Sequence, residues 1–152
     1  MNDISALISQ MQQPSFYPHA VTEKIELMQT HASYVFLTGD YVYKLKKEVD
    51  FGFLDYSTLA KRKHFIEAEL RLNQKIAPQL YLEVLSISKG GNKFILGDRG
   101  EIVKYALKMR AFSQSNLFTN LLEAGKLDRE NFTNLGKIVA QFHLSAATSD
   151  YI

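Results

Sequence analysis

The 152-residue chain contains no cysteine, which excludes disulfides and thiolate-bound metal and suits a reducing compartment. No apolar run approaches the ~20 residues that a membrane-spanning helix needs. The start, Met1-Asn-Asp-Ile, lacks the basic-then-apolar order of a secretion signal, so a cytoplasmic protein with no membrane partner is expected. Neither sign of charge dominates: 18 Lys and Arg are interspersed with 16 Asp and Glu, for a net charge of +2. Without a basic stripe, no nucleic-acid partner is expected. The four histidines, His19, His31, His64 and His143, lack ligand spacing such as H-x-x-x-H, so no metal site is expected. No Ser-His-Asp arrangement with its supporting motif points to hydrolase chemistry. Repeats, low-complexity tracts and long linkers are also missing.

What is present is a chain with 46% hydrophobic residues, enough to bury a core. Asp3 to Met11 patterns as a short helix, closed by Gln12-Gln-Pro-Ser15 and Pro18. Lys24 to Gln29, Tyr34 to Leu37 and Tyr41 to Lys46 read as strands, with Thr30-His-Ala-Ser33 as a polar turn and Gly39-Asp40 as a hairpin signal. An aromatic loop, Val49 to Tyr56, is expected to pack under the sheet, and Ser57 to cap a helix ending at Ala77-Pro78. Tyr81 to Ser88, Phe94 to Leu96 and Ile102 to Met109 return to the β pattern, completing an antiparallel sheet of about five strands. After Phe112 only helices follow: Asn116 to Ala124, then one opened by Asp128 and running to about Ala147. Strands, one helix, more strands and then helices argue for an α+β fold, divided at residues 1–112 and 113–152.

One carboxylate is out of place. At about 100° per residue, Leu59, Phe65, Ile66, Leu70, Leu72 and Ile76 share one helix side, and Glu69 falls near its middle. A carboxylate on a core-facing stripe costs several kcal/mol unless it is paired or protonated, so Glu69 calls for a cation. The two-residue period places Val42, Lys44 and Lys46 on one strand face, and Lys44 is the candidate. Arg62 and Asn73 also project near Glu69, and a purely structural ion pair accounts for the same pattern. Lys61-Arg-Lys63 reads as a solvated face.

Several strings carry a family resemblance. Thr30-His-Ala-Ser-Tyr-Val-Phe-Leu-Thr-Gly-Asp-Tyr-Val-Tyr-Lys-Leu-Lys-Lys47, Val49-Asp-Phe-Gly-Phe-Leu-Asp-Tyr-Ser-Thr-Leu59 and Glu69-Leu-Arg-Leu-Asn73 keep their order with Ala77-Pro-Gln-Leu-Tyr-Leu-Glu83, Tyr105-Ala-Leu-Lys-Met-Arg110 and Val139-Ala-Gln-Phe-His143. Together they resemble the aminoglycoside-phosphotransferase-like kinases, in particular the bacterial subgroup often fused to a P-loop ATPase or kinase domain. The resemblance implies a protein-kinase-like N-terminal lobe followed by the first helices of a C-terminal lobe. It implies that Lys44 contacts nucleotide phosphates with Glu69 as its helix partner, and that Val42 lies against the adenine ring. It places Thr30 to Ser33 at the phosphate-covering loop. With no G-x-G-x-x-G there, contact falls to backbone N–H groups and the Thr30 and Ser33 hydroxyls. Met109 to Phe112, Arg110 included, corresponds to the hinge that binds the adenine edge.

In that family the catalytic aspartate sits in an H-G-D-type loop and a metal-binding aspartate follows it; the chain stops at Ile152, before either. Asp50-Phe51-Gly52 precedes the helix and is a decoy for the metal-binding triplet. The resemblance therefore implies ATP as ligand, with Mg²⁺ only if a second lobe is supplied, and no phosphoryl transfer by this chain alone. Two further readings stand beside it: a non-catalytic module that pairs with a separately encoded C-terminal lobe or with itself, and a gene remnant.

Overall fold

The structure, a computed structural model, describes residues 3–148. In chain order it contains α1 (Asp3–Met11), β1 (Glu26–Gln29), β2 (Ser33–Leu37), β3 (Tyr41–Lys46), α2 (Leu59–Asn73), β4 (Tyr81–Gly90), β5 (Lys93–Leu96), β6 (Glu101–Arg110), α3 (Phe118–Glu123) and α4 (Arg129–Leu144). The chain divides into two compact units, up to Ala111 and from Phe112 on. The fold is α+β.

The sheet has six strands rather than about five, all antiparallel, in the order β1-β2-β3-β6-β4-β5. β6 enters between β3 and β4 although both precede it in sequence, and this insertion creates the centre of the sheet. Its two central residues, Ala106 and Leu107, are fully buried on opposite faces.

The two faces differ. Tyr43 and Leu45 of β3, Phe36 of β2, Ile87 of β4 and Ala106 of β6 form the main core with Leu7 and Met11 of α1. Spacing of Ile4, Leu7, Ile8 and Met11 at three and four residues gives α1 the apolar stripe that this face requires. Gln10 ties the helix down, donating to the Asn92 carbonyl and accepting from Phe94 N–H. The other face receives α2, which packs on β6 and β4.

α2 departs from its expected form at both ends and along its stripe. Thr58, not Ser57, is the N-cap and accepts from Lys61 N–H, while the Ser57 hydroxyl donates to Asp55. Ile66 and Arg62 are the buried residues, whereas Phe65, Leu72 and Ile76 are exposed. The Lys61–Lys63 run is therefore not one solvated face: Arg62 points inward, donating to the Tyr56 and Ser57 carbonyls and pairing with Glu48 at 3.1 Å. The aromatic loop before α2 packs inward only in part: Tyr56 is buried, whereas Phe51 and Phe53 are exposed. Phe53 is 89% exposed, and its backbone is held in a tight reversal by Phe51 N–H to the Leu54 carbonyl and Gly52 N–H to the Asp50 carboxylate.

Gly100 is the glycine whose replacement the fold resists most. Its φ is +152°, and a Cβ there would meet the Lys89 carbonyl oxygen at 2.8 Å. Gly100→Ala is expected to cost about 1–3 kcal/mol, read as a lowered urea midpoint with an unchanged slope. A midpoint equal to that of the wild type would contradict the clash.

Candidate functional site

The site is built on the α2 face of β3. Strand alternation sends Val42, Lys44 and Lys46 to that side while Tyr43 and Leu45 enter the core. Lys44 Nζ donates to Glu69 Oε1 at 2.7 Å, the pair expected from the sequence. Lys46 Nζ donates to Glu69 Oε2 at 2.8 Å, so one carboxylate holds two ammonium groups. Neither Arg62 nor the Asn73 amide takes this role: Arg62 serves Glu48, and Asn73 donates to the Glu69 main-chain carbonyl.

The two lysines differ in their surroundings. The Lys46 side chain is 5% exposed, reaches the Tyr56 hydroxyl at 3.2 Å and lies 4.6 Å from the centre of that ring. The Lys44 side chain is 28% exposed and has Glu69 as its hydrogen-bond partner. Burial pushes the Glu69 carboxyl pKa up, but the hydrogen bonds and charges of Lys44 and Lys46 outweigh burial, and the pKa lies below the ordinary carboxylate value. Tyr81 faces the same group: burial and the charge of Glu69 raise its phenol pKa. With two cations against one carboxylate, the cluster carries one surplus positive charge, and Lys44 is its more exposed member.

Next to that charge is an apolar surface. Cross-strand register aligns Met28, Val35, Lys44, Leu107 and Val84 in one row, and Leu37, Val42, Met109 and Tyr81 in the next. α2 lies over β6 and β4, so Leu107 is buried while Val35, Leu37, Val42 and Met109 remain half-buried. Val42 and Met109 thus share a face with Lys44. Arg110 does not: it pairs across from Tyr41 on the opposite face, with its guanidinium 5.9 Å from the Tyr41 ring.

The backbone limits what the remaining candidates can donate. Arg110 N–H is spent on the Leu80 carbonyl and Ala111 N–H on the Asp40 carbonyl, so neither N–H is free to donate to a ligand. In the turn before β2, the Thr30 hydroxyl oxygen accepts from Ser33 N–H, and Thr30 N–H donates to the Ser33 carbonyl. Ser33 is buried. The turn therefore closes on itself, and His31 at its tip is exposed. A separate cavity of about 620 Å³ lies beside this tip, lined by His31, Ala32, Phe51, Phe53 and Leu54, none of them in the Lys44 row.

Sequence reasoning passed over Lys46 and the Glu48 cluster. The signal for Lys46 was available: the period that selected Lys44 put Lys46 on the same buried face, where it needed an anion as much as Glu69 needed a cation. Glu48 gave no such signal. It sits just past β3, where Lys104 of β6 and Arg62 of α2 converge on it, and the Lys104 hydrogen bond holds its carboxyl below the ordinary range.

No family model and no solved structure matches the chain. It is similar to uncharacterised proteins of Mycobacterium bovis and of two strains of Mycobacterium tuberculosis, at 28% identity over 130 residues, covering 84% of this chain. The chain spans about a quarter of the length of these curated relatives, 24%. Among the described residues no helix is long and apolar enough to cross a membrane.

Proposed function

We propose that this chain is the nucleotide-binding, protein-kinase-like N-terminal lobe of an aminoglycoside-phosphotransferase-like small-molecule kinase of the cytoplasm. The observation that carries the reading is the surplus positive charge on Lys44 at the border of a half-buried apolar sheet face. A nucleotide has that complement: a flat, largely apolar base and an anionic phosphate tail a few ångströms away. The base would lie on Val42 and Met109, with Val35 and Leu37 beside them, and the phosphates would reach Lys44. Thr30 and Ser33 would shape the phosphate-covering turn through their mutual hydrogen bonds rather than by touching phosphate. Mg²⁺ would need ligands from a second lobe.

The test is binding of ATP to the purified chain. One open face buries little of the ligand, so a dissociation constant in the high micromolar to millimolar range is expected, about −4 to −6 kcal/mol. Lys44→Ala is expected to weaken it by about tenfold or more while the chain stays folded, and no small-molecule acceptor should be phosphorylated by the chain alone. Saturable binding that Lys44→Ala leaves intact would end the assignment of this site.

A second reading, an interaction module that pairs with a separately encoded C-terminal lobe or with itself, is favoured by α4. Its Phe132, Leu135, Ile138 and Val139 are all between 41% and 55% exposed, and Phe118, edge-on at 5.4 Å, is the aromatic neighbour of Phe132.

A further inference from the structure

We infer that Lys44 and Lys46 divide the work of the single lysine that such a site needs: Lys46 holds Glu69 permanently, and Lys44 is thereby free to leave Glu69 and carry an anionic ligand. The inference rests on the nucleotide reading of this face and names the group that keeps its cation available.

Geometry separates the two roles. Lys46 is enclosed, with its ammonium fixed by Glu69 Oε2, the Tyr56 hydroxyl and the Tyr56 ring. Moving it would strand an ammonium in a site only 5% exposed. Lys44 occupies the other oxygen, Oε1, with a quarter of its side chain in solvent. It also stands in the row that continues through half-buried Val35 toward the open part of the sheet. If Lys44 turns its ammonium toward a phosphate, Glu69 keeps a full counter-charge from Lys46 and stays ionised and in place. In a site with one lysine the same movement would leave the carboxylate unpaired or force the lysine to serve both groups. Here the surplus charge removes that conflict.

Three variants separate this from a merely structural role for Lys46. Lys44→Met removes the carrier, and ATP affinity is expected to fall about tenfold or more. Lys46→Met leaves Glu69 with Lys44 alone, so Lys44 is held back and affinity falls several-fold although the carrier is present. The double variant Lys46→Met with Glu69→Gln removes the holder and the held group together. Lys44 is then free, and affinity is expected to return to within about twofold of the wild type. Equal weakness of Lys46→Met and the double variant would overturn the division.

A readout without ligand keeps the two claims apart. In ¹³C spectra of the free protein, the Glu69 carboxyl should titrate at higher pH in Lys46→Met than in Lys44→Met, since less solvent screens the charge of the enclosed lysine. A larger shift in Lys44→Met would overturn the division. Absence of ATP binding by the wild type would overturn the nucleotide reading, and the carrier role with it, while the carboxyl titration would still decide which lysine holds Glu69.

Discussion

Glu69→Gln is expected to lower the unfolding free energy by about 3–5 kcal/mol, the cost of leaving a buried charge without its partner. Glutamine keeps the shape and an accepting oxygen but withdraws the charge from two ammonium groups at once. Lys46, 5% exposed, has no route to water that keeps its contacts with Tyr56. The contrast is Lys63 with Glu67 on the outer side of α2, 3.8 Å apart and both about half exposed. Loss of that pair is expected to cost only about 0.3–0.5 kcal/mol. Urea unfolding of the two variants beside wild type measures the difference. A Glu69→Gln cost near that of Glu67→Gln would show that the carboxylate contributes no more than a surface charge.

The pH dependence of this effect has a definite sign. The folded-state pKa of Glu69 is lowered, through Lys44 and Lys46 against the opposing effect of burial. Its contribution is therefore fully present above the unfolded carboxyl pKa of about 4.3 and is lost as pH falls through the lower folded value. The stability gap between wild type and Glu69→Gln should be constant from about pH 7 to pH 5 and close at lower pH. A gap that widens on acidification would contradict the pairing.

The second large effect is expected from α4. Full burial of three side chains such as Leu135, Ile138 and Val139 is worth roughly 5–8 kcal/mol, and about half of each is already covered, which leaves about 3–4 kcal/mol per chain. Two copies meeting face to face would gain about 6–8 kcal/mol, against an association cost of at least about 4 kcal/mol. The balance, about 2–4 kcal/mol at most, predicts weak, concentration-dependent self-association, visible by sedimentation only as the concentration approaches the millimolar range. Leu135→Asp with Val139→Asp is expected to abolish it while the helical circular dichroism is kept. A wild type that stays monomeric, with a double variant that unfolds, would show that the stripe is intramolecular core.

Much of this organisation is local and was legible in the chain. The α1 stripe, the β3 alternation, the Asp128 cap with its reciprocal Asn131 hydrogen bonds and the need of Glu69 for a cation all depend on neighbours a few residues apart. Periodicity and propensity act over that distance. What periodicity could not supply was the partner chosen where several were in reach. Arg62 lies on the same helix face as Glu69, yet goes to Glu48, because the loop after β3 folds back under the start of α2. Phe51 and Phe53 looked like core by composition, but the turn around Gly52 directs them outward.

The sequence by itself determined that the chain is α+β, which residues of β3 face the same way and that a charge on the inner side of α2 must be paired. Only the tertiary structure decided that β6 enters between β3 and β4, that α1 takes one sheet face and α2 the other, and that Lys46 is the enclosed lysine and Lys44 the open one. The reason is physical: a side chain's direction follows from its own backbone, whereas its burial and counter-charge depend on elements brought next to it from 20 or more residues away, as Glu69 is brought to Lys46.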